Sequence, residues 1–172
     1  DIISGTSLEG YTTEKFINAC YDSLTTKSSN YYAVNVTYNG VTRTRNIGDT
    51  YSLDLSQCKP SFSDFTYKDT NTNVTNITGN DQVLVKGLSN LEVTISSANK
   101  MVAQKSASPS KYIASIDTLN KSAHYSESDL TFDVGTITNS GTKRLTVTAY
   151  DSRNNDTSVY KDIIIYDYNK PV

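Results

Sequence analysis

Arg144-Leu145-Thr146-Val147-Thr148-Ala149-Tyr150-Asp151 alternates apolar and polar side chains across eight positions. Successive side chains of an extended chain point to opposite faces, so this stretch reads as a strand with one face buried. Asp151-Ser152-Arg153-Asn154-Asn155 follows with turn chemistry. The chain then returns from Val159 to Tyr168, through Ile163-Ile164-Ile165-Tyr166, before Lys170-Pro171.

Nearer the start lies a counterpart. Tyr32-Ala33-Val34-Asn35-Val36-Thr37-Tyr38 alternates in the same way and meets Asn39-Gly40, a two-residue hairpin signal. Its return run continues from Val41 toward Tyr51, Leu53 and Leu55, and ends at Lys59-Pro60. Pro60 and Pro171 lie 111 positions apart, close to the length of one β-sandwich domain. The spacing predicts an array. Residues 1–58 are read as the C-terminal part of one sandwich domain, 60–170 as a complete domain, and 171–172 as the start of the next segment. A proline at each junction discourages strand pairing from running on. A single irregular sandwich of 172 residues stays open.

Between the two prolines the pattern predicts about seven strands. Phe65 and Tyr67 share one face of a short strand, and Asp69-Thr70-Asn71-Thr72-Asn73 reads as a polar turn. Gln82 to Val85 is brief and apolar. Leu91, Val93 and Ile95 alternate, Lys111 to Asp117 forms another strand, and Leu130, Phe132 and Val134 alternate again. Only one stretch reads as helix: Thr12 or Thr13 caps it, and Phe16, Ile17, Cys20, Tyr21 and Leu24 recur at helical spacing. A hairpin and one helix cannot bury a core alone, so residues 1–58 need further protein to pack against.

Composition narrows the function. Hydrophobic residues make up 36% and charged residues 20%, both low, but 13 Tyr and grouped apolar runs indicate packed strands, not disorder. The formal net charge is −2, so no basic face for nucleic acid is expected. No apolar run is long enough for a membrane-spanning helix, and Asp1-Ile2-Ile3-Ser4-Gly5 lacks the basic start and hydrophobic stretch of a signal peptide. Cys20 and Cys58 are the two cysteines; a disulfide and two separate thiols both remain open. The Cys…Trp…Cys pattern of antibody domains is missing, since there is no Trp.

Leu145 to Ser158, with Thr146-Val147-Thr148-Ala149-Tyr150-Asp151-Ser152-Arg153-Asn154-Asn155 at its heart, resembles the last hairpin of immunoglobulin-like repeats in structural proteins of tailed bacteriophages of Gram-positive hosts. Gly135-Thr136-Ile137, Ser140-Gly141-Thr142 and Ile77-Thr78-Gly79-Asn80 fit the same pattern, as do Tyr38-Asn39-Gly40 and Ile47-Gly48, and the likeness runs loosely over residues 11–168. Asn155 stands where the repeat commonly has Gly, and Asn also tolerates positive φ. The resemblance implies an all-β, immunoglobulin-like β-sandwich, preceded by part of another sandwich carrying one short helix. It implies an extracellular virion component of the tail or fibre, with other virion proteins and further copies of itself as partners, and host cell-wall glycan as a further one. It brings no catalytic residue.

The residues themselves offer little chemistry. His124 is the lone histidine and is read as a surface or loop residue. There is no G-x-S-x-G elbow, zinc-spaced His/Cys cluster or glycine-rich phosphate loop, so no enzyme, cofactor or metal is expected. Asp151, Asn154, Asn155 and Asp156 carry enough oxygens for Ca²⁺, but the same residues build a turn, and the turn is the favoured reading; Asp64, Asp69 and Asn71 are discounted likewise. Asn35, Asn73, Asn76 and Asn155 sit in N-x-[S/T] sequons that an Asn- and Thr-rich chain makes by chance. The candidate surface contacts are Tyr150, Tyr160, Tyr166 and Tyr168, whose rings can stack on sugars or bind subunits together. The function expected is a rigid spacer or host-attachment module. The alternative is a bacterial cell-surface adhesin or a carbohydrate-binding accessory domain of the same architecture.

Overall fold

The computed structural model describes residues 27–52 and 55–168, with side chains for 35–44 and 56–168. The helix expected from Thr12 and the residue Cys20 lie outside the described residues. The chain divides into two compact units, Asp1–Cys58 and Lys59–Val172.

In the first unit, β1 (Lys27–Tyr38) and β2 (Val41–Ser52) form an antiparallel hairpin. Asn39 and Gly40 join them with φ of 48° and 74°, the double positive φ that a two-residue turn matching strand twist requires. Opposite residues share a face, so Val36, Tyr38, Val41 and Arg43 lie together, and Asn35, Thr37, Thr42 and Thr44 lie on the other side. The polar side is stitched by hydroxyl contacts: Thr37 Oγ1 to Thr42 Oγ1 at 2.8 Å, and Thr44 Oγ1 donating to Asn35 Oδ1 at 2.6 Å. Both faces of this end of the ribbon are exposed. β2 is described to Ser52, and Leu55, expected in the return strand, opens a 3₁₀ turn (Leu55–Cys58) in which Cys58 is buried.

Among the described residues, the second unit holds eight strands and one helix: β3 (Thr66–Asp69), α1 (Thr72–Thr78), β4 (Leu84–Val85), β5 (Asn90–Ile95), β6 (Pro109–Ile116), β7 (Leu119–His124), β8 (Leu130–Thr136), β9 (Gly141–Asp151) and β10 (Asp156–Tyr166). One sheet runs β3-β5-β8 and the other β4-β10-β9-β6-β7. Their inner faces share one core. Leu91, Val93 and Ile95 enter it from β5, Val134 from β8, Tyr112, Ala114 and Ile116 from β6, Leu145, Val147 and Ala149 from β9, and Ile163 and Ile165 from β10. Full burial of each large aliphatic chain contributes about 1.5–3 kcal/mol, which is why the alternation fixes which face points inward. The fold is therefore an all-β sandwich. Tyr112 is the largest fully buried side chain; its hydroxyl accepts a hydrogen bond from the Met101 N–H at 2.8 Å, and Phe62 packs 5.4 Å from its ring.

Three expectations need correction. Residues 69–73 do not form a simple turn. Asn71 caps α1, its Oδ1 accepting the Asn73 N–H at 3.0 Å, and Gly79 closes the helix in the left-handed region, its N–H reaching the Thr75 carbonyl. The helix is composed of Thr, Asn, Val and Ile, poor helix formers, and buries only Val74, so no apolar stripe marks it. Also, the strands number eight, not about seven. β7 leaves no clear alternation in the sequence, because it is an edge strand without a fully buried side chain. His124, read as a surface or loop residue, is the exposed last residue of that strand, opposite Lys111. The closing strand begins at Asp156, not Val159, and ends at Tyr166.

The edge of β10 away from β9 is guarded. At its start the Thr157 hydroxyl donates to the Pro60 carbonyl at 2.6 Å, and four residues on Lys161 pairs with Asp64 at 2.9 Å. Residues 60–64 thus run beside 157–161 in the same direction. At its far end β4 pairs in parallel with Ile165 and Tyr166. An unguarded edge of this length would template pairing with any extended chain.

Candidate functional site

The four tyrosines singled out by the sequence do not form one patch. On β9 and β10 the odd-numbered residues face the core, so Tyr150, Tyr160 and Tyr166 stand on the outer face of the five-stranded sheet. Tyr160 lies opposite Thr146, four residues from Tyr150, a separation of about 13 Å along the strand; Tyr166 is about 20 Å farther along β10. Each has its own neighbours. The Arg144 guanidinium stacks 3.9 Å from the Tyr160 ring centroid and pairs with Asp162 at 2.9 Å, and this pairing holds the Asp162 carboxyl below its ordinary value. Lys111 Nζ lies 5.5 Å from the Tyr150 ring. Tyr166 sits beside Val85 of β4. Charged partners thus occupy two of the three rings, leaving no continuous aromatic platform.

Tyr168 is different. It forms one wall of an apolar cleft of about 300 Å³ at the end of the sandwich where β10 finishes. Val74 and Ile77 of α1 form a second wall, and Val85 and Leu88 a third. Ile77 is 86% exposed and Leu88 44% exposed, unusually open for large aliphatic side chains. Asn71, Asn73 and Thr78 complete the lining. Two of these turn their polar atoms inward: Asn71 Nδ2 donates to the Leu88 carbonyl at 2.7 Å, and the Thr78 hydroxyl lies 2.9 Å from the Val74 carbonyl. The surface left to a visitor is therefore mainly hydrocarbon.

A buried carboxylate holds these walls together. Asp69, at the end of β3, accepts the Asn71 N–H at 2.8 Å and the Asn90 N–H at 2.9 Å through Oδ1, and the Ser89 hydroxyl at 2.5 Å through Oδ2. Ser89 Oγ in turn accepts the Val85 N–H at 2.7 Å. One side chain thus ties the helix cap, β4 and the start of β5. Every oxygen is satisfied, as a buried charge requires. The sequence places Asp69 in a polar turn and discounts it as a cation ligand; its role as a tie between three elements is not visible there. The signal that could have located the cleft is the pair Asn71 and Gly79, which brackets seven residues with cap chemistry at both ends.

Asp151 plays the matching part at the opposite end of β10. Its Oδ1 accepts the N–H groups of Arg153 and Asn155, both at 2.8 Å, and its Oδ2 accepts from Asn155 Nδ2 at 3.0 Å. The carboxylate organises the turn after β9, and its oxygens are directed at the turn itself. Among the described residues, no group of three or more His, Cys, Asp or Glu side chains could hold a metal ion.

Comparison of the chain with protein-family models, with characterised proteins and with solved structures found no match.

Proposed function

We propose that this chain is a load-bearing spacer, a non-enzymatic segment of serially joined immunoglobulin-like domains in the tail or fibre of a bacteriophage. The observation that carries this reading is where the chain enters and leaves the second unit. Pro60 lies against Thr157 at the first turn of β10, and Tyr168 follows the other end of that strand. The ten residues from Thr157 to Tyr166 span about 30 Å. Entry and exit at opposite poles let domains follow one another in line, and a pull on the two ends acts along β10.

The strand order supports the immunoglobulin-like part of the reading. β3, β5 and β8 correspond to strands A, B and E, and β6, β9 and β10 to C, F and G, with β7 added beside C. Tyr112, buried in the core from β6, is on this reading the counterpart of the tryptophan of antibody domains. The likeness of Leu145–Ser158 to phage repeats supports the virion and its extracellular setting. Other virion proteins, further copies of the chain and host cell-wall glycan are the partners this reading expects.

Mechanical loading tests it. Residues 60–64 and β4 run parallel to β10, so tension along the strand loads their contacts with it together instead of peeling them one by one. Pulled by its two ends in a force spectrometer, a single chain is expected to give one dominant high-force event from the second unit. If that unit opens at forces no higher than those that open the β1–β2 hairpin, the spacer reading fails.

A further inference from the structure

We infer that Asn39 is a self-modifying site: with water as the only co-reactant its side-chain amide becomes a carboxylate, which re-charges and re-shapes the hairpin tip without an enzyme. The inference goes beyond the spacer reading and does not rest on it.

Asn39-Gly40 is the one Asn-Gly pair in the chain. In such a pair the backbone nitrogen of glycine can attack the side-chain carbonyl carbon of the asparagine before it. The attack is intramolecular, so positioning replaces encounter. Glycine has no Cβ to obstruct the approach, and around Gly40 an added side-chain carbon would meet nothing within 4 Å. The ladder does not hold this nitrogen. Pairing between the strands ends at Tyr38 and Val41, and residues 39 and 40 lie beyond it. Both faces of the tip are exposed, with Tyr38 77% open to solvent. A ribbon tip of this kind opens readily, which lets the turn leave its φ of 48° and 74° for the geometry of ring closure.

Asparagines in three connections of the second unit are tied down. Asn154 precedes Asn155, whose N–H donates to Asp151 Oδ1 at 2.8 Å, and Asn155 Nδ2 donates to Asp151 Oδ2 at 3.0 Å. Asn80 Oδ1 accepts the Gln82 N–H at 2.9 Å. Asn139 precedes Ser140, and its side chain hydrogen-bonds Asp117.

The reaction balances with water alone. A base takes the Gly40 N–H proton, the nitrogen bonds to Asn39 Cγ, and the Cγ–Nδ2 bond breaks to release ammonia. The product is a cyclic imide. Water opens the ring at Cγ to give aspartate, or at the backbone carbonyl carbon to give isoaspartate, whose main chain runs through the side-chain carbons. Amide and water become carboxylate and ammonia, and nothing is oxidised. The two products act differently on the tip. Aspartate before glycine also suits a two-residue turn, so that form keeps the hairpin. Its charge is new there, because the stretch from Asn35 to Gly48 carries Arg43 and Arg45 and no acid. Isoaspartate lengthens the backbone by a methylene, and a two-residue turn matched to strand twist no longer closes. The contacts of Thr37 with Thr42 and of Thr44 with Asn35 go with it.

Ageing the full chain tests this. The purified protein is held folded at neutral pH for weeks, then digested in mildly acidic solution and mapped by mass spectrometry, with fragmentation locating the site. Two new forms of the Asn39 peptide are expected, each with hydroxyl in place of amide. They should accumulate at least about tenfold faster than any change at Asn139. Their rate should rise in proportion to hydroxide, because the nucleophile is the deprotonated nitrogen. Asn39→Gly removes the reacting carbon and supplies a Gly-Gly turn, so it should abolish both forms and leave the hairpin paired. In NMR spectra of the separated aged forms, proximity of Thr37 to Thr42 should persist with aspartate and vanish with isoaspartate. An unchanged Asn39 peptide overturns the inference. So does conversion at Asn139 or Asn154 at the same rate, a rate independent of pH, or an isoaspartate form that keeps the hairpin register.

Discussion

Two hairpins of this protein share a pattern and differ in what it achieves. Matched by alternation, Val36 corresponds to Val147 and Tyr38 to Ala149. Val147 and Ala149 are fully buried, whereas Val36 is 61% exposed. β9 lies between β10 and β6, beneath a second sheet, and its turn of four residues, Ser152–Asn155, is anchored by the Asp151 carboxylate. Among the described residues, the tip of β1–β2 shows its partner strand and two cross-strand side-chain contacts. Alternation creates an apolar face; it does not supply what covers that face. The same face therefore stabilises a domain in one place and offers a surface in the other.

The comparison is broken most severely at Val147. Val147→Asp places an unpaired charge in the shared core and is expected to cost more than about 4 kcal/mol, unfolding the second unit. Val36→Asp at the matching place should change stability by less than about 0.5 kcal/mol. Urea titration followed by tyrosine fluorescence checks both. A similar loss from the two substitutions would mean that the hairpin tip is covered within the chain.

Next in size is Asp69→Ala. It leaves the N–H groups of Asn71 and Asn90 and the hydroxyl of Ser89 without their acceptor, at a cost of about 3 kcal/mol. Amide exchange should accelerate first in α1 and β4. Loss confined to β9 and β10 would contradict the role given to this carboxylate.

How much of this was legible in the sequence follows from the same comparison. Leu91-Glu92-Val93-Thr94-Ile95 and Leu145 to Ala149 could be read directly, because strands with one buried face alternate by necessity. β7 and α1 could not. Leu119–His124 is an edge strand with most of its residues in solvent, and Thr72–Thr78 forms through its caps, without a core-facing stripe. The tyrosines were legible as residues on strands or near their ends, but what surrounds each depends on the tertiary fold, which sets Tyr168, past the end of β10, into the cleft. The cleft itself draws on residues from 71 to 168, joined through Asp69, and no local window contains it.

A smaller effect is expected at the turns. Gly40 has φ of 74°, so Gly40→Val forces a β-branched residue into the left-handed region and should destabilise the hairpin by about 1–2 kcal/mol, leaving the second unit untouched. Chemical shifts of Thr37 and Thr42 against those of Thr148 and Ser158 report this. The smallest effect concerns pH. Lys161 hydrogen-bonds Asp64, Lys143 hydrogen-bonds Asp117 and Lys100 hydrogen-bonds Glu127, and each holds its carboxyl below the ordinary value. A depressed folded pKa contributes stability above the ordinary carboxylate range, near pH 4, that is lost as pH falls through the folded value. All three pairs reach solvent, so melting temperature should be flat from about pH 8 to 5 and decline only gently below about pH 4, with added salt weakening the dependence. A steep acid transition confined to the hairpin would point to buried carboxylates in the first unit.

The most direct test is residue-resolved hydrogen exchange of the full chain at a concentration where it is monomeric. The account predicts that the amides of β9 and β10 exchange only through global unfolding of the second unit, while the β1–β2 tip around Val36 and Val41 exchanges orders of magnitude faster. Equal protection of the two hairpins would contradict it.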